Sequence, residues 1–415
     1  MHQAGPSVKK SIDQVDVEGK FVLLRADFNV PLDHQGRITD DRRIVQALPT
    51  IQHILRNDGR LIMMSHLGRP KGRPDPGFSL RPVARRLSEL LDQDVPLIGE
   101  YATGDKLEVI SSLRKGKAVL LENLRFHPEE TIKGSDTENN EPMKIRKRQF
   151  ARTIADLGDV YVNDAFGTCH RDNASMVTVP LLMDDKPRVT GFLVQKELKF
   201  LREAVVDPAR PFVCLLGGAK VSDKIGVIEA MIPRCDAIMI GGAMAFTFML
   251  ARGDSVGDSL AEPEKTDQAK RLMELAGDKL KLPVDIVCAA ELKEGADHEV
   301  ISGAIASGKK GLDIGPQTVA GYCDILATAR TIVWNGPMGV FETKPFDAGT
   351  LAIAQAVAEA TDGGAISIVG GGDSAAALIA AGIEKRITHV STGGGACLEF
   401  LEGRQFQSLE VLDDA

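Results

Sequence analysis

Short apolar runs alternate with longer amphipathic stretches along almost the whole chain. In the first half, runs at 21–29, 60–66, 118–123 and 160–166 are strand candidates. Further runs fall at 211–218, 236–242, 284–290, 331–336, 365–372 and 388–395. Their apolar positions are mostly continuous rather than alternating, as in strands buried on both faces. Helical periodicity fills the gaps at 42–57, 80–92, 144–157, 223–232, 264–280, 347–361 and 373–382. This alternation predicts parallel α/β layers. Pro49 falls inside the first helical stretch and predicts a kink or a late start. Segment 126–150 reads as a loop followed by a surface helix. GLDIGP (311–316) and VWNGPMGVFE (333–342) read as rigid Gly-Pro loops.

A chain of 415 residues exceeds what one core supports, so two domains are expected. The pattern breaks around 184–190, and a helix-like stretch, 194–205, follows. The expected layout is an N-terminal domain at 1–187 and a hinge with connecting helix at 188–205. A C-terminal domain at 206–398 and a terminal segment at 399–415 complete it.

Composition narrows the class. Hydrophobic residues make up 43% and charged residues 26%, as in ordinary globular proteins. No apolar run approaches the roughly 20 residues a membrane span needs, and the N-terminus lacks the apolar core of a secretory signal. Six cysteines without CxxC spacing suggest neither zinc nor a disulfide framework, and place the chain in the reducing cytoplasm. Net charge is −8, which argues against nucleic acid as a partner. Residues 1–185 are charge-balanced and the excess falls after them. An anionic ligand is therefore better received in the first half.

Glycines and unusual polar residues cluster at the strands' C-terminal ends, where open parallel sheets bind ligands. RADFNVP (25–31) places Asp27 and Asn29 on one face of the first strand before Pro31 stops it. An isolated Asp there more often serves a turn or an ion pair. SHLGRPKG (65–72) carries His66 and Arg69. LENLRFHPEE (121–130) carries Arg125, and VNDAFGTCHRDNAS (162–175) carries His170 and Arg171. Arg43 opens the first helical stretch. One surface arginine means little, but recurrence at strand ends points to a shared site for carboxylate or phosphate oxygens.

The second half is built differently. LLGGAKVSDKIGVIE (215–229) joins a strand, a Gly-Gly turn and a helix start carrying Lys220 and Lys224. Those lysines would share one helix face if both are helical. No Walker A motif is present, yet glycines that admit the backbone and mobile lysines suit phosphates. SIVGGGDSAAAL (367–378) is a second such turn, where backbone N–H groups would face an anion. Asp373 beside it suits a Mg²⁺ ligand or an ordinary N-cap. STGGGACLEFLEG (391–403) is a third, and IGGAMAFTFM (240–249) adds a glycine pair suited to a flat base.

Taken in order, RADFNVP, SHLGRPKG, LENLRFH, VNDAFGTCHR, GGAKVSDKI, DIGP, WNGPMGVFE, GGGDS and STGGGA resemble the phosphoglycerate kinase family. The match runs from about Val22 to about Gly403. The resemblance implies two Rossmann-like α/β domains, with mostly parallel sheets, joined by a helical hinge, and a C-terminal tail returning to the first domain. It implies that Asp27, Asn29, Arg43, His66, Arg69, Arg125 and Arg171 bind the phosphoglycerate, with Arg25 and His170 completing the basic patch. Lys220 and Lys224 would contact nucleotide phosphates. Gly241, Gly242, Gly311, Leu312 and Pro337 would surround the nucleoside, with Asn335 nearby and Glu342 at the ribose. Gly371, Gly372, Asp373 and Ser374 would hold the phosphates, Asp373 at Mg²⁺, and Gly393 and Gly394 would offer amides to the transferring phosphoryl. Arg43, Lys220, Gly371 and Gly394 are the catalytic set. The chain departs from the family's usual pattern at Ala26, at Asp172 and Asn173 beside the patch, and at Phe246.

The implied reaction is 1,3-bisphosphoglycerate plus ADP giving 3-phosphoglycerate plus ATP, reversibly, by a cytoplasmic monomer. The acceptor in the reverse direction is a carboxylate, already ionised near neutral pH, so no general base is needed. Alignment and charge stabilisation would carry catalysis, with closure of the two halves. A nicotinamide-dependent dehydrogenase is the rival enzyme, but no GxGxxG follows the first strand. A non-catalytic protein closing on an anion is the other rival, disfavoured by the lysines and Asp373.

Overall fold

The structure is a computed structural model describing residues 8–99 and 105–415. Residues 1–7, part of the N-terminus read as free of a secretory signal, lie outside the described residues. The chain divides into two compact units. One runs to Leu198 and includes Gln405–Ala415; the other is Lys199–Arg404.

The first unit contains strands β1 (Phe21–Ala26), β2 (Arg60–Met64), β3 (Leu97–Ile98), β4 (Ala118–Leu121), β5 (Val160–Asp164) and β6 (Arg188–Thr190). They form one sheet in the order β3-β4-β2-β1-β5-β6, parallel throughout. Every residue of β4 and β5 is buried, as the continuous apolar runs require. The order reverses between β1 and β5, opening a crevice at the strands' C-terminal ends. The stretch 188–205 is not helical from its start. Arg188–Thr190 is an edge strand, and the helix begins at Phe192 and runs to Val206. The division between units falls within that helix. In the first unit the chain's last residues lie against β6: Asp413 accepts the Arg188 backbone N–H at 3.0 Å and its Nη2 at 2.9 Å.

Pro49 does not delay its helix, which runs Arg42–Arg56. Ile44, Ala47, Ile51 and Ile54 bury one face at helical spacing. That burial outweighs the single backbone hydrogen bond proline removes.

The second unit contains β7 (Phe212–Leu216), β8 (Ala237–Ile240), β9 (Leu280–Lys281), β10 (Ile286–Ala289), β11 (His298–Ile301), β12 (Lys310–Ile314), β13 (Thr331–Asn335), β14 (Ile366–Gly370) and β15 (His389–Val390). Six form a parallel sheet in the order β15-β14-β13-β7-β8-β9, reversing between β13 and β7. The run at 284–290 is not in it: β10 lies antiparallel between β11 and β12 in a separate small sheet.

GLDIGP is a strand and a helix start rather than a rigid loop. A Cβ at Gly311 would run into the Phe246 ring, so this glycine serves packing and not a turn. Gly315 caps the following helix, with Pro316 at its first position. The helix Met244–Arg252, absent from the sequence-based layout, buries Met244, Ala245, Phe246, Phe248 and Met249. With few polar positions it shows little helical periodicity.

Candidate active site

In the first unit Asp27, Asn29, His66, Arg69, Arg125, His170 and Arg171 lie beyond the ends of β1, β2, β4 and β5, and Arg43 opens the helix Arg42–Arg56. Strand β1 ends at Ala26, so Asp27 and Asn29 sit in the loop beyond it rather than on a strand face. Asp27 is buried, with its Oδ2 accepting Arg43 Nη1 at 2.6 Å and its Oδ1 accepting the Asn29 N–H at 3.1 Å. Burial pushes the Asp27 carboxyl up, but His66, Arg43, Arg25 and that N–H outweigh it and hold it below the ordinary value. The His66 part of this applies only to an imidazolium. His66 itself is held well below its ordinary value, chiefly by burial, so the two guanidiniums carry the effect.

The Asn29 Oδ1 accepts the Gly68 N–H at 2.8 Å, which leaves its Nδ2 to donate. Arg125 donates to Gly68 O at 2.8 Å, while its Nε is buried without a partner. Burial, followed by Arg25 and Arg171, brings the Arg125 pKa down to about 10. His170 Nδ1 is likewise buried and unpartnered, and burial with Arg171 lowers that ring to about 4. Arg69 and Arg171 are exposed. Arg25 differs from the rest: it is wholly buried and stands behind the patch.

Asp172 does not weaken this patch by facing it. Its Oδ2 accepts the Gly134 N–H at 2.5 Å, and its carbonyl accepts Lys147 Nζ at 2.8 Å. Asn173 donates to Glu130 Oε1 at 3.2 Å. Sequence reasoning passed over Glu130 and Ser175, both wholly buried polar groups under the patch. A larger cleft, about 780 Å³, lies between residues 35–38, 74–82 and the helix Arg81–Leu91, and holds none of the expected site residues.

The second unit holds a cavity of about 230 Å³ beyond β7, β8 and β13, against the small sheet. It gathers Gly242, Gly311, Leu312, Pro337, Glu342 and Asp373 from the expected set. It also gathers Phe246, Asp313 and Met338, which sequence reasoning did not assign. Gly242 has φ +66°, and a Cβ there would stand 2.6 Å from the Gly218 N. Asp313 is a buried acid in an apolar strand, a signal available in the sequence. Burial raises it to about 7 against the opposing Gly349 and Ile314 N–H groups.

Lys220 and Lys224 do not share a helix face. Lys220 is exposed in the loop, and Lys224 is the N-cap of the helix Ile225–Met231. Lys224 Nζ donates to Asn335 Oδ1 at 2.5 Å. An ammonium only donates, so the amide turns its Nδ2 the other way. That Nδ2 is buried without a partner beside the Gly370–Gly371 turn. Burial lowers the Lys224 pKa below its ordinary value. Gly371 has φ +99° and caps the helix Gly372–Ala380, whose first turn carries exposed Asp373. Ser374 is buried beneath, its Oγ accepting the Gly336 N–H at 2.7 Å. A Cβ at Gly394 would stand 2.7 Å from Gly371 Cα, so these two turns pack backbone to backbone. Gly241 is buried against Met338.

A family model described as phosphoglycerate kinase matches residues 12–404. The phosphoglycerate kinase of Rhodopirellula baltica is 52% identical over 98% of this chain and 100% of its own length. That of Chloroflexus aggregans is 52% identical over 98% of this chain and 99% of its own. A solved phosphoglycerate kinase from Coxiella burnetii superposes with a TM-score of 0.84 at 42% identity, covering 98% of each chain. With the same motifs gathered at the ends of two parallel sheets, the chain belongs to the phosphoglycerate kinase family.

Proposed function

We propose that this enzyme holds the phosphoglycerate on the first unit through Asp27, Asn29, Arg43, His66, Arg69, Arg125 and Arg171. The nucleotide takes the cavity of the second unit. Gly241, Gly242, Gly311, Leu312, Pro337 and Glu342 surround the nucleoside. Lys220, Lys224, Asn335, Gly371, Gly372, Asp373 and Ser374 serve the phosphates. The reaction is reversible phosphoryl transfer from 1,3-bisphosphoglycerate to ADP. The observation that carries the site assignment is a pair of buried donors without a partner at the strand ends, Arg125 Nε in the first unit and Asn335 Nδ2 in the second; Arg60 Nε shares that state at the opposite end of β2. Buried polar atoms are ordinarily satisfied, and phosphate oxygens would satisfy that pair.

The nucleophile of the reverse reaction is a carboxylate, so no residue need take a proton. Arg43, Lys220 and the backbone amides at Gly371 and Gly394 supply positive charge to the transferring phosphoryl. Asn29 also steadies the loop: its Oδ1 holds Gly68, whose carbonyl accepts from Arg125 and which precedes Arg69.

Magnesium fits as a companion of the nucleotide. Among the described residues no group of three His, Cys, Asp or Glu side chains stands ready to cage a metal. Mg²⁺ commonly takes one or two protein carboxylates plus substrate phosphates, and exposed Asp373 at the cavity is such a carboxylate. When bound, the ion would neutralise phosphate charge. Among the described residues no helix is long and apolar enough to cross a membrane. The proposed setting is the cytoplasm and the proposed working state a monomer, as the family implies.

A coupled assay for ATP formation from 1,3-bisphosphoglycerate and MgADP tests the activity. Calorimetry with 3-phosphoglycerate on R125A, and with MgADP on G242A, tests the assignment. Each substitution should weaken its own ligand and leave the other unchanged. The reverse pattern would overturn the assignment.

A further inference from the structure

We propose that a buried chain of groups, Glu130–Ser175–Arg25, holds His66 in the tautomer whose only donor is Nε2–H. Glu130 and Ser175 are then positioning residues for phosphoglycerate binding, an inference that rests on the reading of this cleft given above.

Glu130 is wholly buried. Its Oε2 accepts the Ser175 backbone N–H at 2.9 Å, and its Oε1 accepts the Ser175 hydroxyl at 2.6 Å. The hydroxyl proton is therefore committed to Glu130, leaving the oxygen lone pairs for other donors. Arg25 Nε meets that oxygen at 3.0 Å. Arg25 also donates Nη1 to the Ala26 carbonyl, so its guanidinium is fixed at two points. Its Nη2 then lies 3.1 Å from His66 Nδ1.

A guanidinium offers no lone pair, so Nδ1 must be the acceptor of this contact. The competing arrangement would put a proton on Nδ1 and aim it at Asp27. That separation is 3.9 Å, too long for a hydrogen bond. With Nδ1 accepting, the ring is neutral and its single proton sits on Nε2. No protein hydrogen bond to Nε2 exists among the described residues, so this donor is available to a ligand oxygen. Four charged groups face the ring: Asp27, Arg25, Arg125 and Arg43. Burial and the three guanidiniums disfavour the imidazolium, and Asp27 alone opposes them.

The chemistry explains why a buried glutamate and serine would stand beneath an arginine patch. An unbiased histidine near neutral pH would divide among two tautomers and a charged form. Anchoring Arg25 through Ser175 to a carboxylate makes one form dominant and keeps the donor constant with pH. The arrangement also balances the buried Arg25 charge with a buried anion, which an unpaired guanidinium would require.

The test is nitrogen NMR of the full chain with labelled histidine, in ligand-free wild type, S175A and E130Q, paired with steady-state kinetics. Wild type should show His66 with a bare Nδ1 and a protonated Nε2, unchanged from pH 5 to pH 8. S175A removes the oxygen that Arg25 Nε uses, so the His66 signals should move towards a tautomer mixture. KM for 3-phosphoglycerate should rise about 3- to 10-fold, the span of one lost hydrogen bond. The kcat and the nucleotide KM should stay within about 2-fold of wild type on the same reasoning. E130Q should move the ring signals in the same direction. A protonated Nδ1 in wild type, or unchanged ring signals in S175A, would overturn the proposal. Failure of 3-phosphoglycerate to perturb His66 in wild type would instead strike the ligand assignment and leave the tautomer standing.

Discussion

On the proposed assignment, the two units meet an anion with different materials. In the first, long side chains would do the recognising: Asp27 holds Arg43, Arg125 is fixed on the Gly68 carbonyl, and Arg25, anchored from below on Ser175, reaches His66. Charges that are paired and half-buried keep their geometry before a ligand arrives. In the second, the backbone does it. Gly242, Gly371 and Gly394 sit where a side chain would collide with a neighbouring turn or needs a left-handed φ. Side-chain recognition suits a small, highly charged acid. Backbone recognition suits a larger ligand whose phosphates lie against amides and whose flat base lies against glycine. The contrast predicts that charge changes hurt the first unit most, whereas added carbon atoms hurt the second.

The largest effect is expected at Arg43. Arg43→Ala should lower kcat by about 10²-fold or more, the range for losing one electrostatic stabiliser of a transition state. KM for 3-phosphoglycerate should change less, because Arg69, Arg125 and Arg171 remain. A raised KM with normal kcat would reassign Arg43 to binding and weaken the contrast between the units. Next comes Gly311→Ala. The added methyl must displace the Phe246 ring from the cavity wall, an overpacking cost of about 1–3 kcal/mol. MgADP affinity should fall about 10-fold on that scale, with 3-phosphoglycerate affinity unchanged. Equal losses for both ligands would mean that the damage is global rather than local to the nucleotide cavity.

A smaller effect is expected at Asp373. Gly371, not Asp373, caps this helix, so the N-cap expectation for Asp373 fails, and Asp373→Asn would cost a purely structural first-turn carboxylate only its modest helix-dipole contribution. If the carboxylate serves Mg²⁺, the metal concentration giving half-maximal activity should rise several-fold while the thermal midpoint holds. Titrating activity against Mg²⁺ at fixed nucleotide separates the two. Unchanged metal dependence would leave the second unit's phosphate site to backbone and lysines alone.

The sequence revealed the sheets more readily than the small elements around them. Continuous apolar runs mark β1, β4, β5 and β7 because strands buried on both faces have no polar face to interrupt them. The same continuity hid the helix Met244–Arg252, which is buried almost all round. It also let β10 pass for a member of the parallel sheet, since strand direction leaves no mark on periodicity. Glycine misled at Gly311, where it makes room for Phe246 rather than turning the chain. The motif residues were legible because arginines and glycines recur at strand ends. Asp313 could have been read as an acid inside an apolar run, but Glu130 and Ser175 were not legible, because their roles come from neighbours distant in sequence. Glu130 matters through Ser175, and no local spacing announces that pairing.

The smallest effect on turnover is expected at Asp164, and it tests whether the first unit's order depends on ionised groups throughout. Asp164 is wholly buried at the end of β5, with its Oδ1 accepting the Leu193 and Val194 N–H groups at 2.9 and 3.1 Å. Its Oδ2 has no partner. Burial raises its pKa to about 7, against the opposing Thr50, Val194 and Leu193 hydrogen bonds. Below about pH 4 the carboxyl is protonated in both the folded and unfolded chains. Between about pH 4 and 7 the unfolded chain releases the proton while the folded chain keeps it. This group's contribution to stability is therefore present at low pH and is lost as pH rises through about 7. Asp164→Asn keeps an acceptor for both helix N–H groups and cannot ionise. Stability of wild type minus that of D164N, from denaturant curves at several pH values, should decline from pH 4 to pH 7 and then level. The difference isolates this residue from other titrating groups, including His170, whose lowered pKa works in the opposite direction. A flat difference curve would show that Asp164 is ionised at neutral pH. The first unit would then cap the helix Phe192–Val206 with charge, as it builds its anion site, rather than with a neutral acid.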